Sequence, residues 1–365
     1  MLAGATPGSA YLFERGGSWS GGITMPTHVN GAAGNPIVIS NYGTGAIPVI
    51  DGGGRSGGAS ACFYARATGG GTTPLWSYIT IDGFECRNTS HYGVLFYQNA
   101  GGSFGMRGIV VQNMNIHNTG PISDDGTYSN QLMFLDENAA ADGVQFLNNS
   151  VTACGGHNCI QVHKDTGSPL IQGNYCSGWI HNCIDVKSSV GALVKGNTVN
   201  GAGATQGSAF YFENPQIPAG DITWQQNVVY NGPNGFECEW GGSGTNVSST
   251  CRVYNNTAYL GTQSAVVTGG DPSCGNVTFD VRNNILDTTS TYYNGHNCTT
   301  PTWDYNDDGA SHGPVAGPIG PHDLDGVDPL YVNAAAHDFH LLTGSLCIGA
   351  ALQGITTGSA NIGAY

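Results

Sequence analysis

Positive charge is the scarcest feature of this chain. Lys164, Lys187 and Lys195 are its only lysines; Lys and Arg total 10 against 25 Asp and Glu, for a formal net charge of −15. Such a chain cannot neutralise a row of phosphates, which excludes a nucleic-acid partner. A strongly polyanionic ligand would need a locally basic groove or bound cations. Long apolar runs are also missing. None approaches the roughly 18 residues that span a bilayer, so no membrane partner is expected. No leader segment is visible, and Met1-Leu2-Ala3-Gly4 reads as a mature or trimmed start.

Other residues are abundant. The 58 glycines supply tight corners between short strands. The 11 cysteines are many for a cytosolic protein and point to an oxidising compartment, hence secretion. An odd count leaves at least one free thiol.

One six-residue phrase keeps returning. It reads Phe146-Leu-Asn-Asn149-Ser-Val151, Ile171-Gln-Gly-Asn174-Tyr-Cys176, Val194-Lys-Gly-Asn197-Thr-Val199, Trp224-Gln-Gln-Asn227-Val-Val229, Val253-Tyr-Asn-Asn256-Thr-Ala258 and Val281-Arg-Asn-Asn284-Ile-Leu286. Its last Asn recurs at intervals of 25, 23, 30, 29 and 28 residues. A loose period in this range means stacked supersecondary units. Strand-rich units with one Asn at a fixed offset define an all-β, right-handed parallel β-helix, in which each Asn amide bonds the next. The expected organisation is a single solenoid domain over 1–365. It has N-terminal coils and cap over 1–90, regular coils over 91–300 and a C-terminal closing segment over 301–365 that protects the open end.

A second strand series interleaves with the first: Leu132-Met-Phe134-Leu135, Ile160-Gln-Val162-His163, Ile184-Asp-Val186-Lys187, Phe210-Tyr-Phe212-Glu213 and Phe236-Glu-Cys238-Glu239. Its residues alternate at period two, so one set faces the core and the other faces out. Stacked in register, the outward set forms two columns. One is Met133, Gln161, Asp185, Tyr211 and Glu237; the other is Leu135, His163, Lys187, Glu213 and Glu239. In a chain with 10% charged residues, this concentration on one sheet face marks a candidate site.

Pro7-Gly8-Ser-Ala-Tyr-Leu-Phe13, Gly34-Asn-Pro-Ile-Val-Ile and Tyr42-Gly-Thr-Gly-Ala-Ile-Pro-Val-Ile50 resemble the opening of bacterial β-helix proteins of the pectate-lyase-like superfamily. Asp328-Pro-Leu-Tyr, Asp338-Phe-His-Leu and Cys347-Ile-Gly-Ala resemble their closing segment. The resemblance implies the fold over nearly the whole chain. Its chemistry is open, since that superfamily holds lyases, hydrolases, epimerases and non-enzymatic fibres.

The column face suits glycoside hydrolysis, which needs a proton donor and a second carboxylate either about 5 Å or about 6.5–9.5 Å away. Glu213 with Glu239 fits the short separation and Asp185 with Glu213 the longer. Glu237 and His163 are further catalytic candidates. Tyr211, Trp240 and Tyr97 can stack on sugar rings, with Gln161 as a polar contact. Hydrolysis needs no cofactor. β-Elimination from a uronic acid is the alternative, because Ile184-Asp-Val-Lys187 resembles the lysine-bearing strand of chondroitinase B and alginate lyases. The resemblance implies Lys187 as base, and Glu213, Glu237 and Glu239 would then hold Ca²⁺. Those enzymes carry an Arg on the following coil where this chain has Glu213. A non-enzymatic carbohydrate-binding β-helix is the third reading. In each the partner is a polysaccharide.

The triplet His-Asn-Cys occurs at 157–159, 181–183 and 296–298. Stacking the first two copies brings Cys159 and Cys183 within disulfide reach. Two His and two Cys can in principle bind Zn²⁺, although the spacing matches no zinc motif. Cys274 and Cys298 form a second candidate pair. Trp303-Asp-Tyr-Asn-Asp307-Asp308-Gly309 looks like a Ca²⁺ loop but lacks the bidentate Glu at the required offset, and reads as a plain turn.

Overall fold

The structure, a computed structural model, describes residues 2–67, 75–98, 105–121, 130–136, 142–204, 206–214, 217–239, 248–261, 264–268, 276–288, 291–295, 301–309, 318–355 and 360–365. They fall into two compact units, Met1–Ala192 and Leu193–Tyr365.

In the first unit, three sheets grow by one strand per coil. The first sheet takes Ala10–Glu14, Ile37–Tyr42, Ile79–Asp82, Val110–Gln112, Gln145–Leu147 and Leu170–Gln172 in that order. The second takes Ser18–Ser20, Val49–Asp51, Glu85–Arg87, Asn115–His117, Ser150–Thr152 and Tyr175–Ser177. The third takes Ile23–Thr24, Ala61–Ala67, Tyr92–Gln98, Leu132–Asp136, Asn158–His163 and Asn182–Lys187. Neighbouring strands pair in parallel. The second unit repeats the scheme. Its first sheet includes Ala219–Gln225, Ser248–Tyr254, Asn276–Arg282 and Thr302–Asp304; its second runs from Thr198–Asn200 to Ile285–Thr288; its third begins with Ser208–Glu213 and Asn234–Glu239. Each unit is thus a parallel β-helix stack.

Alternation places stacked apolar residues inside each coil. Ile81, Val111, Phe146 and Ile171 form one inward row, and Trp224, Val253 and Val281 another, all at most 1% exposed. Each such side chain contributes about 1.5–3 kcal/mol by leaving water.

The corner between the first and second sheets explains the Asn phrase. One left-handed residue precedes each ladder position: Asn113, Asn148, Gly173, Gly196, Gln226, Asn255, Asn283 and Tyr305, with φ between +51° and +68°. A single such residue reverses the chain, and Asn or Gly tolerates it best. The next residue then points inward. Asn149 Nδ2 donates to Asn174 Oδ1 at 2.9 Å in the first unit. In the second unit Asn197 donates to Asn227, Asn227 to Asn256 and Asn256 to Asn284, at 2.9, 3.0 and 3.0 Å. The expected column therefore forms within each unit. It also continues into the expected closing segment over 301–365, because Asn284 Nδ2 donates to Asn306 Oδ1 at 2.9 Å.

A second ladder, not anticipated, runs beside the third sheet of the first unit. The backbone N–H of Asn158 donates to Asn130 Oδ1 and that of Asn182 to Asn158 Oδ1, both at 2.9 Å. The repeated His-Asn-Cys triplet is its signature in the sequence. Its histidines, His157 and His181, stack with ring centroids 4.1 Å apart.

Disulfides join Cys62 to Cys86, Cys154 to Cys159, Cys176 to Cys183 and Cys238 to Cys251, and Cys347 is a buried free thiol. The expected proximity of Cys159 and Cys183 holds, since their sulfurs lie within 4.8 Å of each other and of Cys176. They do not bond each other. Each sulfur bonds a partner close in sequence, so no thiolate remains for zinc. Cys274, His296, Asn297 and Cys298 lie outside the described residues.

The C-terminal segment behaves differently from a simple end cap. Tyr331–Asn333 and Asp338–Leu341 form an antiparallel pair. Phe339 packs on Val228 and Tyr230, the outward side chains of the second sheet. Asn255 and Asn283 donate to the carbonyls of Asn361 and Leu352 at 2.8 and 3.1 Å. The segment therefore lies along the flank of several coils and buries an apolar face that would otherwise meet water.

Candidate functional site

The outward face of the third sheet is built by strand register. In the first unit Met133 pairs with Gln161 and Gln161 with Asp185, while Leu135 pairs with His163 and His163 with Lys187. In the second unit Tyr211 pairs with Glu237 and Glu213 with Glu239. These are the expected columns within each unit.

Their environment in the first unit is more enclosed than an open sheet face. Gln161 is 6% exposed and Asp185 is 4% exposed. Asp185 Oδ2 accepts from Gln161 Nε2 at 2.7 Å and from Asn158 Nδ2 at 2.8 Å. Asn130 Nδ2 in turn donates to Gln161 Oε1 at 2.9 Å. Alternation alone predicts exposure for these positions. It cannot register the second Asn ladder, whose amides reach the outward column and hold the carboxylate down. His163 and Lys187, one step further along their strands, remain partly exposed. Towards the N-terminus the same face carries aromatic rings. Leu95 and Met133 pack with Tyr64, Tyr92 and Tyr97, and the Arg66 guanidinium lies 5.1 Å from the Tyr97 ring centre.

The second unit gathers the carboxylates. Glu213, Glu237, Glu239 and Tyr211 are all half-buried. Ser208 Oγ donates to Glu237, a residue that sequence reasoning missed because Ser208 precedes the alternating stretch. The Tyr211 hydroxyl donates to Glu239 Oε2 at 2.5 Å. Burial pushes the Glu237 carboxyl up to about 7; the Ser208 hydrogen bond opposes this, while the charge of Glu239 and a hydrogen bond with it add to it. Below about pH 7 Glu237 is therefore a protonated acid held beside Glu239. Trp240 lies outside the described residues.

Neither a protein-family model nor a curated protein sequence matches the chain. Solved structures do. An alginate lyase from Paenibacillus sp. aligns with a TM-score of 0.58 at 18% identity, over 88% of this chain and 94% of that one. Pectate lyase Pel9A aligns with a TM-score of 0.59 at 15% identity, over 100% and 89%. A lacto-N-biosidase from Eubacterium ramulus aligns with a TM-score of 0.57 at 13% identity, over 88% of this chain and 61% of its own. At these identities the likeness is one of architecture: the chain has the pectate-lyase-like parallel β-helix fold.

Proposed function

We propose that the protein is a secreted carbohydrate-active enzyme that cleaves a polysaccharide by hydrolysis on the third-sheet face of its second unit. The observation that carries this reading is Glu237, a carboxyl raised to about 7 in contact with Glu239 and one strand from Glu213. The structural neighbours are themselves an alginate lyase, a pectate lyase and a lacto-N-biosidase. Four disulfides accord with secretion.

Glu237 in its protonated form donates to the glycosidic oxygen as the bond to the anomeric carbon breaks. Glu213 lies one strand and one pleat away, a backbone separation of about 8 Å from the 4.8 Å strand spacing and the ~7 Å repeat of one face. That leaves room for a water, which Glu213 deprotonates as it attacks the anomeric carbon, with inversion expected. Burial first, and then the neighbouring Glu239 that the Tyr211 hydroxyl fixes in place, keep the proton on Glu237. Neutral sugars suit this face better than uronates, which three glutamates would repel.

Elimination from a uronate is the second reading, favoured by Lys187. Its cross-strand partner is His163, and the carboxylate two residues before it, Asp185, accepts from two amides. Lys187 would then take the proton at the sugar C5, with Ca²⁺ as the cation that would neutralise the uronate. Incubation with neutral and uronate polysaccharides, with and without Ca²⁺, separates the readings. New reducing ends without new ultraviolet absorbance support hydrolysis; absorbance of an unsaturated uronate refutes it. Retention on a polysaccharide gel without cleavage refutes both.

A further inference from the structure

The segment Asp304–Gly309, far along the chain from the carboxylates above, holds a buried acid that the hydrolytic reading does not use. Asp308 is 1% exposed, and neither of its carboxylate oxygens has a hydrogen-bond partner among the described residues. Buried carboxylates without donors are rare in folded proteins and call for an explanation. The surroundings deepen the problem. Asp307 bridges to Leu324 in parallel, so Asp308 has Asp325 as its neighbour and Asp323 on the same side. Asp323 is already fixed in place: its Oδ1 accepts from the N–H of Asn306 at 2.7 Å and its Oδ2 from that of Gly320 at 2.6 Å. Burial, then Asp323, Asp307 and Asp325, push the Asp308 carboxyl up to about 8. The Tyr292 phenol feels the same field; burial first, then Asp308, Asp325 and Asp323, push it up.

A proton on Asp308 would remove its charge but not its unmatched oxygens. The new O–H would need an acceptor and the other oxygen would still need a donor. A cation satisfies both oxygens at once and cancels the repulsion. We propose that Asp308 is the centre of a Ca²⁺ site in the second unit, completed by one neighbouring carboxylate, carbonyl oxygens and water. The carboxylates that act on it, those of Asp323, Asp307 and Asp325, are hard oxygen donors on irregular loops rather than an octahedral frame, which favours Ca²⁺ over Mg²⁺. Among the described residues no three carboxylates here converge within 4.8 Å, so affinity should be modest, with Kd of roughly 10⁻⁴–10⁻³ M as in extracellular modules. The role is structural: the ion would pin the 318–325 loop to the last first-sheet strand.

The test uses Tb³⁺ and Ca²⁺ on the chelator-treated full chain. Tyr292 and Trp303, with ring centres 5.5 Å apart, flank this segment and would sensitise bound Tb³⁺. Terbium emission that Ca²⁺ displaces is expected, as is a Tm raised by roughly 5 °C at a hundredfold excess of Ca²⁺ over Kd, with no rise from Mg²⁺. Asp308→Asn should abolish both responses while folding as the wild type does without metal, because Asn matches Asp in shape. Glu213→Gln should retain both. Asp325→Asn, at an exposed position safe for folding, should weaken Tb³⁺ binding about threefold to tenfold. The proposal is overturned if the wild type shows no Ca²⁺ response, if the response is lost in Glu213→Gln instead, or if Asp308→Asn or, should that variant not fold, Asp325→Asn binds as the wild type does.

Discussion

Replacing Asn256 by Ala tests the energetics of the inner ladder. Its Oδ1 accepts from the backbone N–H and the side-chain amide of Asn227 at 2.9 and 3.0 Å. Its Nδ2 donates to the Trp224 carbonyl at 3.0 Å and to Asn284 Oδ1 at 3.0 Å. Truncation removes all four bonds. The losses are unequal. Asn227 Nδ2 keeps its bond to the Val194 carbonyl, and Asn284 Oδ1 keeps the backbone N–H of residue 256. The Asn227 N–H and the Trp224 carbonyl lose these partners in a dry interior. At about 1–3 kcal/mol for each stranded group, plus a small cavity, the expected cost is about 3–5 kcal/mol. That is a large share of the 5–15 kcal/mol typical of a folded protein. Urea unfolding followed by circular dichroism should show the midpoint falling with little change in slope. Hydrogen exchange should show the Asn227 amide losing protection before those of the outer coils. Gln172→Ala, at an exposed strand position, serves as control and should change stability by less than about 0.5 kcal/mol. A loss below about 1 kcal/mol for Asn256→Ala would mean that water or rearranged amides replace the ladder, and the reasoning would fail.

Four further outcomes follow from the site and the disulfides. Activity should fall as pH rises through about 7, where Glu237 loses its proton, and Glu237→Gln should cost roughly 10²–10⁴-fold in turnover; a rate flat from pH 5 to 9 would remove Glu237 as the acid. The same residue gives stability a sign: its folded pKa lies above the unfolded value, so its contribution is fully present below about pH 4.5 and is lost as pH rises through about 7, a slope that Glu237→Gln should flatten in urea titrations. Glu213→Gln should lose roughly 10²–10⁴-fold in turnover with the fold intact, whereas Lys187→Ala should retain most activity; the opposite ranking, assayed on one verified substrate, would move the chemistry to elimination. Peptide mapping without reduction should recover Cys154 with Cys159 and Cys176 with Cys183, and Cys347 should resist alkylation until the chain is unfolded; a Cys159–Cys183 peptide would contradict the structure.

The fold was legible because the ladder requires one residue type at one place. Only Asn offers both a donor pair and an acceptor at the corner, so the phrase survives every change around it. Asn306 escaped notice because Tyr305 occupies the left-handed position where Asn, Gly or Gln stood before, and the apolar residue two places after the Asn gives way to Asp308. The third-sheet columns were legible from alternation, but their burial was not. Whether Asp185 meets water depends on Asn130 and Asn158, which lie outside its strand. The disulfides were harder still. Register brings Cys159 and Cys183 together, yet it says nothing of sulfurs entering the same space from the neighbouring corner, and those are the ones that bond.

The left-handed corner has a consequence for how such a protein can change. Between the first and second sheets the turn is one residue followed by the ladder Asn, and any insertion there would misalign the amides on both sides. The return from the third sheet to the first is anchored by single residues rather than by a repeated amide, Asp165 in one coil and Asn214 in another. It spans Lys164–Pro169 in one coil and Ser188–Gly191 in another, and its departure points are His163, Lys187, Glu213 and Glu239. Length variation is therefore channelled to the edge of the candidate site, so a lineage or an engineer could reshape what the groove admits, coil by coil, while the scaffold behind it stays untouched.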